Sequence, residues 1–129
     1  MKISALMTIA AIVAGLFGVG FVLVPAEVLA PYGVTADPSL EYMSRLFGAA
    51  LILVAVLTWT ARNATDSQAG RAIVLAIFVG DSAGFVVALL GQLAGVVNAL
   101  GWSTVAIYLF FALGFGYFYF GKPASTAAA

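Results

Sequence analysis

The sequence predicts an all-α fold: an integral membrane bundle of four transmembrane helices that forms one domain over residues 1–122. Hydrophobic residues make up 64% of the chain and charged residues only 8%, whereas about a quarter of the residues of a soluble domain are charged. The few charges divide the chain into four long apolar blocks. Each block has close to the roughly 20 residues that a helix needs to cross a hydrocarbon core about 30 Å thick.

The first span is predicted over residues 3–24, a run of 22 residues without a charge. A second interpretation is a cleaved secretory signal, because Met1 and Lys2 precede the apolar run and residues 28–30 (VLA) have the outline of a cleavage site. The apolar part of a signal usually has about 7–15 residues. The length of this run therefore favours a membrane span.

The second span is predicted over residues 38–61. Asp37 is followed by Pro38, and this pair is typical of a helix N-cap and the first helical position. A helix that begins here contains Arg45, one or two turns from its end.

The third span is predicted over residues 68–96 and is the longest. Thr65 and Gln68 stand before it at the spacing of a capping box. Asp81 is the one charge that interrupts the apolar run from residue 72 to residue 97.

The fourth span is predicted over residues 99–121. The turn near Asn98 is very short, so the third and fourth spans should form a tight antiparallel hairpin. Residues 123–129 are predicted to be a disordered cytoplasmic tail.

The charged residues of the connecting loops predict the orientation in the membrane. If the four spans alternate, one side receives Lys2, Arg62, Arg71 and Lys122, and the other receives Glu27, Asp37 and Glu41. Loops rich in Lys and Arg stay in the cytoplasm. We therefore expect an inner (plasma) membrane protein of bacterial type with both termini in the cytoplasm.

Small residues mark the helix faces that can pack closely within a membrane. The first span has one such face, formed by Ser4, Thr8, Ala11, Ala14, Gly15 and Gly18, and the third has another, formed by Asp81, Gly84, Ala88, Gln92 and Gly95. These faces predict that the first and third spans pack against each other. These small faces either pack against other helices and do nothing more, or line a narrow polar path.

The candidate intramembrane polar site consists of Asp81, Tyr108, Gln92 and Arg45. Asp81 is near mid-span, where a charged side chain is costly and usually faces the bundle interior. Tyr108 or Ser82 is its expected hydrogen-bond partner.

Arg45 should lie about two turns from the level of Asp81. We expect its long side chain to extend toward the membrane surface and to meet one of three groups: Glu41, Glu27 or the amide of Gln92.

Several classes of function are excluded by composition. The chain has no cysteine and no histidine, so it has no disulfides, no thiol nucleophile, no imidazole-ligated haem and none of the usual zinc sites. Its net charge is zero, which argues against binding to nucleic acid. We predict no catalytic residues, no cofactor and no metal site. The expected partners are the lipid bilayer and either further copies of the chain or a larger membrane complex.

A resemblance to small bacterial four-helix membrane proteins of unknown function, of the DoxX type, covers most of the chain. It is carried by Pro25 with Tyr32-Gly33, by Arg45-x-x-Gly48-Ala49 and by Gly80-Asp81. The resemblance implies a fold and a membrane setting, and no established activity.

Two functions remain open. The first is a non-enzymatic accessory or interaction subunit, favoured by ample packing surface and very few reactive groups. The alternative is a small proton- or cation-coupled transporter that uses Asp81 in an oligomer. An enzyme is a distant third, because the few acidic residues form no recognisable catalytic group.

Overall fold

The computed structural model describes residues 1–121, and this part of the chain is helical without strands. Four of its helices are long and apolar enough to cross a membrane, which confirms the predicted fold class. The helices are α1 (Ile3–Leu23), α2 (Pro25–Leu29), α3 (Pro38–Ala61), α4 (Gln68–Leu93) and α5 (Gly101–Phe120), with a 3-10 turn (Ala30–Tyr32) before α3. The predicted tail, residues 123–129, lies outside the described residues.

Both α3 and α4 begin where predicted, at Pro38 and Gln68, but the N-cap of α4 is a different residue. The Asp37 side chain accepts a hydrogen bond from the Leu40 N–H at 2.8 Å, and Pro38 is the first helical residue. The N-cap of α4 is Ser67, whose Oγ accepts from the Gly70 N–H at 3.0 Å. The predicted capping box from Thr65 to Gln68 is therefore wrong.

Gly70 explains this difference at the start of α4. A Cβ atom at this position would lie 2.0 Å from the Ala64 carbonyl oxygen. The preceding loop thus folds tightly over the first turn of the helix. Thr65 belongs to that loop and lies before the N-cap.

The end of α4 is formed by Gly95, which has a φ of 75°. The Gly95 N–H donates to the Gln92 carbonyl at 3.1 Å, and the Val96 N–H donates to the Gly91 carbonyl at 3.0 Å. This pair of bonds is a Schellman motif, which ends a helix at a left-handed glycine. The helix consequently stops at Leu93, three residues before the predicted end at 96, and Gly95 is a terminator rather than part of a packing face.

The long helices associate as two pairs, α1 with α3 and α4 with α5. The closest approach in the first pair is between Gly18 and Gly48, where a Cβ atom on Gly48 would lie 2.7 Å from the Gly18 carbonyl oxygen. The small face of the first span therefore meets the second span. The predicted packing of the first span on the third is wrong.

The two pairs join at both ends of the bundle. At one end, which we call the terminal end, all four long helices contribute to a shared core of Leu6, Met7, Ala10, Ala61, Val74, Ile77, Phe111 and Phe115. At the opposite end, which we call the α2 end, Asn98 bonds the turn between α4 and α5 to the 3-10 turn after α2. Asp81, at the centre of α4, lies between these two connections.

Candidate functional site

Asp81 lies at the centre of α4, thirteen residues after Gln68 and twelve before Leu93. It follows Val74 and Ile77 at spacings of three and four residues, so the three side chains share one face. Val74 and Ile77 belong to the shared core, and Asp81 is half-buried directly beyond them. The carboxyl therefore lies at the edge of the core, on the side toward the α2 end.

Tyr108 of α5 is the polar residue that the structure brings to Asp81. Its ring lies over Gly84, one turn beyond Asp81, and a Cβ atom at Gly84 would be 2.3 Å from the ring carbon Cε1. The carboxyl and the phenol are close enough to interact electrostatically. Among residues 1–121, however, neither Tyr108 nor Ser82 forms the predicted hydrogen bond to Asp81.

Gln92 lies far from Asp81, at the α2 end of α4. The two residues are eleven positions apart, which is about 16 Å along a helix. The Gln92 Nε2 donates to the Asn98 carbonyl at 3.1 Å. Its Oε1 occupies the space that Gly101 leaves free, since a Cβ atom there would be 2.1 Å away. Gln92 therefore stabilises the turn between α4 and α5 and is not part of the Asp81 site.

Arg45 is also separate from Asp81. Its Nη1 donates to the carbonyl oxygen of Val22, in the last turn of α1. The predicted partners, Glu41, Glu27 and the Gln92 amide, are therefore wrong. A guanidinium at this position binds one of the carbonyls that have no partner within the helix and complements the negative end of the helix dipole.

The hydroxyl groups within the spans do not extend the polar site. The hydroxyls of Thr8, Thr58 and Thr60 donate to the carbonyls of Ser4, Val54 and Val56, four residues earlier in the same helix, at 2.7 to 2.8 Å. Toward the terminal end, the shared core contains Leu6, Met7 and Phe115 at 0 to 1% exposure. These fully buried apolar side chains lie between Asp81 and the terminal end.

Asn98 is the polar residue whose role the sequence did not reveal. Its N–H donates to the Tyr32 carbonyl and its Nδ2 to the Pro31 carbonyl, both at 2.9 Å, and its Oδ1 accepts from the Leu100 N–H at 3.0 Å. The available signal was a single amide side chain between two apolar spans. An amide at this position predicts a turn between the spans, but it does not predict that the turn binds the Tyr32 and Pro31 carbonyls.

The described residues contain no group of three or more Asp, Glu, His or Cys placed to hold a metal ion. The polar site thus consists of the half-buried Asp81 carboxyl beside the Tyr108 phenol. Gln92 and Arg45 instead form hydrogen bonds at the ends of helices. Comparison of the chain with protein-family models, with curated proteins and with solved structures finds no match.

Proposed function

We propose that this chain is a non-enzymatic membrane subunit that associates with a further transmembrane helix through α4. The proposal rests on the presence of small residues on two sides of α4, of which one packs on α5 and the other is exposed. The exposed side, which we call the outward face, consists of the small residues Ala72, Ala76, Gly80 and Ala83, followed by Val87. A Cβ atom built at Gly80 would meet no atom within 4 Å.

The physical reason is that apolar burial does not drive helix association in lipid. Helices associate where small side chains let their backbones approach. The chain already uses this contact between α1 and α3, through Gly18 and Gly48. The outward face of α4 repeats the pattern at spacings of three and four residues and has no partner within the described residues. A second copy of the chain and a larger membrane complex both offer such a helix.

A bulky residue on the outward face tests the proposal. In Gly80→Leu, the new side chain extends into open space in the isolated chain, so the fold should persist while association is lost. Ala106→Leu, at an exposed position of α5, is the matched control. The measurement is the mass of the complex purified from its native membrane in mild detergent. Equal masses for the wild type and Gly80→Leu would contradict the proposal.

Coupled transport through an oligomer is the second candidate, and Asp81 supports it. A half-buried carboxyl at the centre of a membrane helix is typical of a residue that binds a proton or a cation, and residues 1–121 supply no hydrogen bond to it. The candidate ranks second because the fully buried side chains of the shared core separate Asp81 from the terminal end. A path would have to run between copies.

Transport can be tested with the protein reconstituted in vesicles. Asp81→Asn keeps the shape of the side chain but cannot release a proton, so any coupled flux should disappear. Glu27→Gln, an exposed position in α2, is the control. Flux that persists in Asp81→Asn would reject coupling at this residue.

For the location, we propose a bacterial inner membrane with both termini in the cytoplasm. Lys2, Arg62 and Arg71 lie at the terminal end, and this excess of basic residues supports the orientation. The chain has no cysteine, so single cysteines at Asn63 and Thr35 can be labelled from either side. They should react on opposite sides, with Asn63 on the cytoplasmic side. The DoxX-type resemblance stays a prediction.

A further inference from the structure

A groove runs along the outer surface of the α1/α3 pair, away from the shared core. It is an open depression with a volume of about 320 Å³, lined by Ala11, Ile12, Ala55, Val56, Trp59 and Thr60. The side chains of Ile12, Val56 and Trp59 are each about half exposed, so the groove opens to the lipid. The Thr60 hydroxyl donates to the Val56 carbonyl at 2.7 Å, which engages the only side-chain hydroxyl of the lining.

The groove owes its shape to the close approach of α1 and α3. A Cβ atom on Gly15 would be 3.7 Å from the Cβ atom of Ala55, so the helices are in direct contact behind the lining. Ala11 and Ala55 are too small to fill the space in front of this contact. The larger side chains of Ile12, Val56 and Trp59 border the space that remains. This is the shape that an extended hydrocarbon chain fits.

A positive charge stands at one end of the groove. The guanidinium carbon of Arg62 lies 3.9 Å from the centre of the Trp59 ring, and Arg62 Nη1 donates to the Trp59 carbonyl. Arg62 directly follows the last residue of α3, where the chain leaves the apolar span. The stacking and the hydrogen bond hold the guanidinium over a residue that itself lines the groove.

We propose that this groove binds an anionic phospholipid, with one acyl chain in the groove and the phosphate at Arg62. A guanidinium has five N–H donors in a planar fork, and this geometry suits two parallel bonds to phosphate oxygens. Because the cation is already held on the Trp59 ring, little side-chain entropy remains to be lost on binding. The site combines an apolar groove with a charge at its membrane boundary, as a phospholipid combines a chain with a head group.

The chain contains its own control for the charge. Arg71 also lies near the terminal end, and its guanidinium carbon is 5.0 Å from the centre of the Tyr119 ring. It therefore resembles Arg62 in charge and in stacking. Arg71 is on α4, however, and neither it nor Tyr119 lines the groove. Only Arg62 should contribute to binding at this site.

The experiment titrates the purified protein in detergent with phosphatidylglycerol or with phosphatidylcholine of the same acyl chains. Bound lipids are counted by native mass spectrometry. The wild type should prefer phosphatidylglycerol, and Arg62→Gln should lower its affinity for this lipid roughly tenfold. Arg71→Gln should keep the wild-type affinity. An equal loss in both variants, or in neither, would overturn the role of Arg62.

Filling the groove tests the acyl chain separately. Val56→Trp should place an indole in the groove and lower the binding of both lipids, while circular dichroism reports on the fold. Ile12→Trp fills the groove from the α1 side and serves as the second variant should the first fail to fold. Unchanged binding in a folded groove variant would overturn the proposal. Neither variant changes the outward face of α4. A failure of the lipid proposal, measured by lipid binding, is therefore distinguishable from a failure of the association proposal, measured by the mass of the complex.

Discussion

In the α1/α3 pair, glycines on both helices face each other, whereas in the α4/α5 pair a glycine faces an aromatic side chain. A Cβ atom on Gly48 would come within 2.7 Å of the backbone oxygen of Gly18. A Cβ atom on Gly84 would instead come within 2.3 Å of the Tyr108 ring. The first contact joins two backbones, and the second joins a backbone to a side chain that can rotate.

This difference separates a rigid pair from an adaptable one. Neither backbone can move at the Gly18 contact without displacing a whole helix, and Arg45 further ties α3 to the end of α1 through the Val22 carbonyl. In the second pair, rotation of the Tyr108 ring would change the surroundings of Asp81 while both helices stay in place. The half-buried carboxyl therefore lies in the pair that can rearrange at lower cost.

The largest loss of stability is expected from a substitution that disrupts the rigid α1/α3 pair. Gly48→Leu forces a branched side chain against the backbone of α1, and overpacking of this kind costs about 3 kcal/mol. We expect the variant to unfold at a much lower temperature in detergent, as measured by circular dichroism. Ala49→Leu, at the exposed neighbouring position, is the control and should unfold close to the wild type. Similar losses in both variants would contradict a contact specific to Gly48.

A smaller effect is expected in the adaptable pair. Gly84→Ala should cost about 2 kcal/mol, because the new methyl group displaces the Tyr108 ring. The same change in a Tyr108→Ala background should cost much less, since the ring is absent. A double-mutant cycle on unfolding free energies measures this coupling. Additive losses would show that the ring does not occupy the space in front of Gly84.

The smallest effect concerns the connection between the pairs at the α2 end. Asn98→Ala removes the side-chain hydrogen bonds to Pro31 and Leu100 and should cost about 1 to 2 kcal/mol. Hydrogen exchange should increase first in residues 30–34, while the shared core stays protected. Asn63→Ala, in the exposed loop after α3, is the control. Unchanged exchange in Asn98→Ala would show that the α2 end does not depend on this side chain.

The sequence predicted the spans well because their limits depend on charge and length. Asp37 with Pro38 located the start of α3 to the residue, since a cap is a local signal. Gly95 was misassigned because a glycine after an apolar run is compatible with both a helix terminator and a packing face. Only its positive φ distinguishes the two.

Helix pairing and the hydrogen-bond partners of polar side chains could not be predicted from charge and length, as the spans were. Several spans carry small residues, and a one-dimensional pattern does not say which of two small faces meet. Arg45 binds a backbone carbonyl, a group that every residue possesses and that no sequence pattern marks. Asp81 and Tyr108 lie at a similar depth, without the predicted hydrogen bond, because both are near the middle of adjacent antiparallel spans and depth in a span follows from residue count.

The division into two pairs also bears on the order of assembly. The contact between Gly18 and Gly48 is complete once α3 has been synthesised, before any residue of α4 exists. The contacts of α4 with α5 are likewise local in the chain, and local contacts form fastest. Within residues 1–121, the shared core and the Asn98 bonds join one pair to the other. Two hairpins that form independently and dock last are therefore the expected folding route in the membrane.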